Sequence, residues 1–382
     1  GVNVIVARQL GARKHKDLKD TIQTAFILCL IVGIIVSIIC ISCAHLLLNL
    51  LNTKEELIKA IDDWIYYYMH ERYQRRFGVK TPYEVRSDNF GNAVMSAGGD
   101  TKRPLLYLFI AGIVNVCLNL IFVIGFRLAE QGVAMASIIS QYISATLIMT
   151  NLLRRNDVCK LRLSQVRINK NAAKAILMLG IQNAIFAIAN LFIQTGVNSF
   201  DSVMVSGNSA AANFDALIYN VMSAFYTACS SFMGQNMGAG NKKRMLHSYF
   251  ISIAYSFCAA GILGTVLFVF GRQLLSLFTS EPAVIDAGMA RIKIMAFSYA
   301  VSAFMDASIA ASRGIGKSVG PTIIVISGSC VFRVAWVYTI FAYFHSIPSL
   351  YLVYVFSWTI TAIAEIAYFA YSFKHLNVRG RY

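Results

Sequence analysis

Long apolar stretches separated by short polar connections follow one another along almost the whole chain. A membrane-spanning helix needs about 20 predominantly apolar residues, and nine stretches reach that length. They are residues 21–51, 105–126, 132–153, 175–200, 211–233, 246–270, 292–311, 321–344 and 348–373. The pattern predicts an all-α, polytopic membrane protein.

Composition and charge support this interpretation. Of the 382 residues, 57% are hydrophobic and 14% are charged, whereas soluble domains contain about 25% charged residues. The net charge of +16 comes from cations that are concentrated in alternate connections, with Arg291 and Lys293 as an exception near the start of a span. Such alternation marks cytoplasmic connections, so we expect a multi-pass protein of the plasma membrane with a cytoplasmic C-terminus and no nucleic-acid partner. The basic connections are residues 8–19, 102–103, 154–174, 242–244, 313–317 and 374–381.

The cysteines and the polar motifs indicate no enzyme chemistry. Seven of the eight cysteines lie inside apolar stretches, and Cys159 alone lies in a polar connection. No Cys or His spacing is typical of a disulfide framework or a metal site, and there is no nucleophile triad or phosphate-binding loop. We therefore expect a protein that is not an enzyme and has no cofactor.

The two halves of the sequence resemble each other. "ARQLGARKHKDLKDTIQTAF" from Ala7 aligns with "GQNMGAGNKKRMLHSYFISI" from Gly234, and "GDTKRP" from Gly99 aligns with "GKSVGP" from Gly316. Repeats in the same order and orientation predict two lobes related by an axis along the membrane normal, an arrangement of many secondary transporters.

The repeat exposes an anomaly in the first half. The interval from Ile58 to Gly99 is 41 positions, whereas the matching interval from Ile285 to Gly316 is 31. The first interval includes the charged and aromatic segment 59–88, in a place where topology requires a returning helix. Each charged residue costs about 2.5–3.5 kcal/mol at the centre of a spanning helix, so we expect segment 59–88 to lie outside the bilayer.

Several motifs in a fixed order resemble the bacterial multidrug and toxic compound extrusion (MATE) transporters. They are "VARQLGA", "NAVMSAGGDTKRP", "GVAMASIISQYISA", "VNSFDSVMVSGNSAAANFDALIYNVMSAFYTACSSFMGQNMGAG", "MDASIAASRGIGKSVGP" and "VFRVAW". This resemblance implies two six-helix lobes facing a central cavity, and exchange of an inward Na+ or H+ for an outgoing organic cation. It places Gly1 at the end of the second helix, which leaves the first helix missing and the fourth disrupted.

The resemblance also implies a division into domains. Residues 1–153 are expected to form an incomplete N-terminal lobe with the atypical insert 59–88, residues 154–174 a cytoplasmic linker, and residues 175–382 the C-terminal lobe. The insert itself is similar to the C-terminal tail of insertion-sequence transposases, through "IDDWIYYYMHERYQRRFGVKTP", although Glu84, Val85 and Arg86 depart from that pattern. The alternative is an interfacial loop, because Trp and Tyr favour the headgroup region.

Asp306 is the first candidate for binding the coupling cation. Ionisable side chains inside spans are rare and mark transport pathways, and the resemblance places a cation-binding carboxylate at this position. Asn190 matches a family glutamate, and with nearby Gln194 it offers neutral oxygens to Na+ but no titratable group. Their alternative roles are ion pairing for Asp306 and hydrogen bonding between helices for Asn190 and Gln194.

The remaining polar and aromatic residues receive weaker assignments. Asn220, Phe225 and Tyr226 are expected to line the substrate cavity, where aromatic rings attract organic cations. Arg333 and Glu365 are interpreted as structural polar residues. Together the residues predict a monomeric antiporter whose partners are small organic cations and the lipid bilayer. Two alternatives stay open, a flippase for lipid-linked sugars in the same superfamily and a non-functional truncated chimera.

Overall fold

The computed structural model describes residues 2–42, 82–126, 129–165 and 167–376. Every regular element in these ranges is a helix, which confirms the predicted all-α class. In chain order the helices are α1 Val2–Gly11, α2 His15–Ser42, α3 Pro82–Ala97, α4 Lys102–Asn119, α5 Ala129–Arg154, α6 Lys170–Asn198, α7 Ser202–Ala239, α8 Lys242–Leu275, α9 Pro282–Gly314, α10 Val319–Phe344 and α11 Ile347–Lys374. Helix α4 continues as a π-helical turn, Leu120–Gly125, and α10 contains π-helical segments at Ile326–Val331 and Val337–Phe341.

Six of the described helices have the length and apolar composition of membrane spans, and they include six of the nine predicted stretches. These six are Lys102–Gly125, Met135–Arg154, Lys242–Leu275, Pro282–Gly314, Val319–Phe344 and Ile347–Lys374. The most apolar of them, Lys102–Gly125, has a mean hydropathy of 2.5 over its most apolar segment, yet only 6% of the residues in that segment are buried inside the protein. An apolar helix that the protein does not cover is suited to contact with lipid. The chain is therefore a multi-pass membrane protein.

The chain divides into two compact units, Gly1–Ile176 and Leu177–Tyr382. In the first unit, α1, α2, α3, α5 and the connection after α5 share one apolar core. Its fully buried members include Val6, Leu18, Ile22, Val94, Met95, Ile148 and Leu152. Leu18 and Ile22 on α2, like Ile148 and Leu152 on α5, are four residues apart, so each pair lies on the apolar face by which its helix packs against its neighbours.

Helix α3 begins inside the predicted insert 59–88. Residues 59–81 lie outside the described residues, but the backbone of Pro82 to Asp88 forms the first two turns of α3. Further along the same helix, Phe90 and Val94 are buried in the core of the first unit. The helix thus joins the insert directly to the core, while the repeat between the halves and the position of the insert relative to the bilayer stay predictions.

The connection after α5 is stabilised by charged and polar contacts between its own residues. Arg155 forms an ion pair with Asp157 at 2.6 Å, and Asp157 also accepts a hydrogen bond from the backbone N–H of Cys159 at 3.0 Å. Cys159 is 2% exposed. Burial, together with the negative charge of Asp157, raises the pKa of the Cys159 thiol to about 11. The thiol is consequently protonated at neutral pH.

The second unit is built around helix α9. This helix packs against α7, α8 and α11. In its most apolar segment 67% of the residues are buried, the largest share among the six apolar helices named above. The close approach of α8 to α9 depends on Gly264, because a Cβ atom at this position would lie 2.0 Å from the carbonyl oxygen of Ala296. Small residues of this kind allow helices to pack closely in lipid, where van der Waals contact drives association.

We predict that Gly264→Ala lowers the stability of the protein by about 1–3 kcal/mol, because the added methyl group forces α8 away from α9. Thermal unfolding of the purified protein in detergent measures this change. Gly261→Ala in the same helix is the matched control, since a Cβ atom there meets nothing within 4 Å. Equal melting temperatures for the two variants would contradict the predicted contact.

We also predict that Cys159 reacts with iodoacetamide at pH 7.5 about two orders of magnitude more slowly than an exposed thiol, because the thiolate is the reactive form. The matched control is Ser164→Cys, at an exposed position of the same connection. Peptide mass spectrometry of the alkylated protein gives both rates. The modification rate at Cys159 should rise with pH towards 11, and equal rates at pH 7.5 would contradict its burial.

Candidate functional site

A line of polar side chains runs along helix α9 through the interior of the second unit. Arg291, Tyr299, Asp306 and Arg313 follow one another at intervals of seven or eight residues, which is about two helical turns. They therefore lie on the same side of the helix. Arg291 and Arg313 are 8% and 5% exposed, so each of these charges must be balanced inside the protein.

The first cluster on this line surrounds Asp215 of α7. One carboxylate oxygen accepts hydrogen bonds from the guanidinium of Arg291, and the other accepts a hydrogen bond from the hydroxyl of Tyr299. The side-chain oxygen of Asn208 accepts bonds from Arg291 and from the hydroxyl of Tyr351, the latter at 2.8 Å. Both oxygens of Asp215 are thus bonded, and the cluster joins α7, α9 and α11.

The second cluster surrounds Arg333 of α10, which is fully buried. Its guanidinium donates hydrogen bonds to the side-chain oxygen of Asn190 at 2.8 Å and to the hydroxyl of Ser357 at 3.1 Å. It also lies over the ring of Tyr354, with 4.7 Å between Cζ and the ring centroid. Arg291 lies 5.9 Å from the same ring. Such contacts stabilise a cation where water is excluded, so Tyr354 connects the first and second clusters.

The third cluster contains the predicted cation-binding residue Asp306. This half-buried side chain interacts electrostatically with Arg313, whose guanidinium donates a hydrogen bond to the hydroxyl of Tyr226. Glu365 of α11 is fully buried and interacts electrostatically with the same guanidinium. Neither carboxylate oxygen of Glu365 has a hydrogen-bond partner among the described residues. Two acidic groups from α9 and α11 therefore share one basic group.

The predicted site residues do not form one group: some belong to the second or third cluster, and others lie outside the three clusters. Arg313 interacts electrostatically with Asp306 and donates a hydrogen bond to Tyr226. By contrast, Asn190 bonds to Arg333, and Gln194 donates a hydrogen bond to Asn198 at 2.9 Å. Phe225 is half-buried and Asn220 is exposed at the surface of this unit. Their assignments to cation binding and to a substrate cavity stay predictions.

Asp215, Arg291 and Arg313 were not among the predicted site residues. Asp215 lies inside the stretch 211–233, where a charged residue is itself a signal for function or for a buried partner. Arg291 was visible as an exception to the alternation of basic connections. Arg313 was counted with a basic connection, but α9 extends to Gly314 and buries it.

A cavity of about 430 Å³ lies in the first unit, and its lining includes none of the residues predicted to bind ligands. It is formed by the start of α2 and the connection before α6. Its lining residues are Lys16, Lys19, Asp20, Gln23, Gln165 and Arg167. Arg167 forms an ion pair with Asp20 at 2.7 Å, which ties this connection to α2.

Comparison with known proteins gives a consistent result. The sequence model of the MatE family matches residues 1–72 and 175–339. The probable multidrug resistance protein YpnP of Bacillus subtilis is 29% identical over 262 residues, which are 67% of this chain and 56% of that protein. The probable multidrug resistance protein NorM of Thermotoga maritima is 22% identical over 90% of this chain and 74% of its own length. The FAD transporter of Shewanella oneidensis is 25% identical over 75% of this chain and 63% of its own length.

Solved structures show the same fold at low sequence identity. A MOP superfamily transporter from Pyrococcus furiosus superposes with a TM-score of 0.79 at 19% identity, covering 98% of this chain and 84% of that one. The outward-facing conformation of a multidrug resistance MATE family transporter gives 0.78 at 19% identity, covering 98% and 83%. The family match includes residues 59–72, so the predicted insert is within the matched range up to residue 72. Its resemblance to a transposase tail stays a prediction.

We predict that Asp215→Ala lowers the stability of the protein by about 3–5 kcal/mol, because it leaves the buried guanidinium of Arg291 without its acidic partner. Asp286→Ala is the matched control, because its ion pair with Arg272 has both side chains more than half exposed, and exposed pairs contribute about 0–1 kcal/mol. Thermal unfolding in detergent measures both changes. The double variant Asp215→Ala/Arg291→Met should recover part of the loss, and a single variant as stable as the control would contradict a buried ion pair.

Proposed function

The chain belongs to the MatE family, and on that premise we propose that it is a secondary antiporter that exports small organic cations in exchange for Na+ or H+. The observation that supports this proposal is the position of Asp306. Its side chain lies half-buried on the central helix of the second unit and interacts electrostatically with Arg313, which is bonded to Tyr226. A carboxylate in such a place can bind Na+ or a proton, and either event changes the charge of the helix interior.

Cation exchange requires that the same interior accepts a different ion or substrate at different times. A coupling ion at Asp306 neutralises its negative charge, and loss of that ion restores it. An organic cation is attracted to the ionised carboxylate and to aromatic rings such as Tyr226 and Phe225. Binding of the coupling ion then disfavours binding of the exported cation, which is the competition that an antiporter needs.

The setting of this exchange is also part of the proposal. We expect the protein to act as a monomer in the plasma membrane. Its C-terminus is expected in the cytoplasm, because the basic connections alternate along the sequence. The relatives differ in the substrates that their names state, since one is called an FAD transporter and others multidrug resistance proteins. FAD carries negative charge, so the acidic Asp306 favours the cationic class for this chain.

We predict that the purified protein in lipid vesicles moves ethidium against its gradient when an opposing Na+ or pH gradient is imposed. Asp306→Asn should lower this ion-driven rate at least tenfold, because the amide cannot take up a proton and binds Na+ weakly. The matched control is Asp286→Asn, an exposed carboxylate of the same unit, which should retain the rate. Fluorescence of ethidium in the vesicles follows the transport.

Two outcomes would contradict the proposal. If the vesicles with protein move ethidium no faster than empty vesicles, the chain does not export this cation, and the alternative of a non-functional protein is favoured. If they instead translocate a fluorescent lipid-linked sugar, the flippase alternative replaces the antiporter. An Asp306→Asn variant with the full ion dependence would remove Asp306 from the mechanism but would leave antiport in place.

A further inference from the structure

Glu365 is the most unusual acidic residue of the second unit. It lies in α11 with an exposure of 0%, and neither of its carboxylate oxygens accepts a hydrogen bond from any described residue. A buried carboxylate without hydrogen bonds is strongly disfavoured when ionised. A proton on one oxygen removes the negative charge, and a bound cation can be coordinated by both oxygens.

Asp215 shows what a purely structural carboxylate looks like in the same unit. One of its oxygens is bonded to Arg291 and the other to Tyr299. Its charge is balanced by Arg291 and both of its oxygens accept hydrogen bonds, so a cation that binds there competes with Arg291. Glu365 differs from Asp215 in both respects. Its oxygens accept no hydrogen bond from the described residues, and Arg313 interacts with Asp306 as well as with Glu365.

The charges around Glu365 do not balance. Helix α11 packs against α9 and α10. From α9, Arg313 interacts electrostatically with Glu365 and also with Asp306. From α10, Arg333 bonds to Ser357, about two turns before Glu365 on α11. The phenolic hydroxyl of Tyr226, on α7, accepts a hydrogen bond from Arg313.

Two ionised carboxylates and one guanidinium give Asp306, Glu365 and Arg313 a net charge of −1. Uptake of one proton or one monovalent cation makes this group neutral. In a water-poor interior the neutral state is much the more stable of the two. Asn190, which was predicted to help bind the cation, cannot change its charge and is bonded to Arg333 instead.

We propose that Glu365 is a second ion-binding carboxylate, and that Asp306 and Glu365 around Arg313 form one site that takes up a single proton or Na+. The inference deepens the proposed function, on which its transport role rests. Arg313 positions the two carboxylates and limits their uptake to one positive charge. In this proposal Glu365 binds the coupling ion and does not serve structure alone.

The site can be tested by ion-dependent stability, which does not require transport. Uptake of the ion by the folded protein stabilises it, so the melting temperature of the wild-type protein in detergent should rise by about 5 °C on acidification or on replacement of K+ by Na+. The sign follows because the folded site holds the proton more tightly than the unfolded chain does. The added stability is present at low pH and is lost as the pH rises.

Glu365→Gln and Asp306→Asn should each remove most of this rise, because either change makes the group around Arg313 neutral without an ion. Glu365→Asp keeps the charge and should keep the rise, and it serves as the second variant if the glutamine variant does not fold. Asp215→Asn is the structural control. It should lower the melting temperature at every condition without changing its dependence on pH or Na+.

The two proposals fail in different ways. A Glu365→Gln variant with the full wild-type rise, or a wild-type protein whose melting temperature responds to neither ion, would overturn the site at Glu365 even if ethidium transport proceeds. Wild-type vesicles that transport no ethidium, combined with a rise that depends on Glu365, would overturn antiport and support the ion site. In active vesicles, Glu365→Gln should reduce the ion-driven rate at least tenfold, and an unchanged rate would count against the inference.

Discussion

Charges on the central helix of the second unit have to be balanced by protein groups, and this constraint organises the whole unit. Helix α9 presents Arg291 and Arg313 to an interior from which water is largely excluded, and lipid offers no hydrogen bonds. Each guanidinium is therefore met by side chains from α7 or α11. A buried charge that loses its partner is strongly destabilising. These contacts therefore determine which helices pack against α9 and at which positions along it.

The balance is achieved in different ways along the helix. At Arg291 the partners are complete, with Asp215, Asn208 and the ring of Tyr351 around one guanidinium. At Arg313 two acidic side chains, Asp306 and Glu365, interact with one guanidinium. The first arrangement is suited to permanent structure, and the second is the place where we propose that an ion binds. Both arrangements lie on α9.

Much of the fold was predictable from the sequence because its dominant signal is simple. A run of about 20 apolar residues has few alternatives to a helix in lipid, and stretches such as 246–270, 292–311 and 348–373 lie within described helices. The position of Asp306 as an ionisable residue within a span was equally visible. The start of α3 at Pro82 was not predictable, since charge predicted that the insert would be separate from the helix that follows it.

The pairing of charges was beyond the sequence for a physical reason. Asp215 and Arg291 are 76 positions apart, and only the packing of α7 on α9 shows that they meet. Arg313 looked like part of a basic connection because the apolar stretch ends just before it. The complete burial of Glu365 was hidden as well, because sequence does not show which side of a helix is covered. Helix spacing can identify a stripe of polar residues, but the partner of each depends on tertiary contacts.

Tyr354 has a further mechanical consequence. Its ring lies beside Arg291 of α9 and Arg333 of α10 at once, while the adjacent Ser357 on the same side of α11 bonds to Arg333. A turn of α11 about its own axis would withdraw the ring from both cations in a single movement. These contacts favour movement of α9, α10 and α11 together in this part of the unit, because independent rotation of α11 loses all of them.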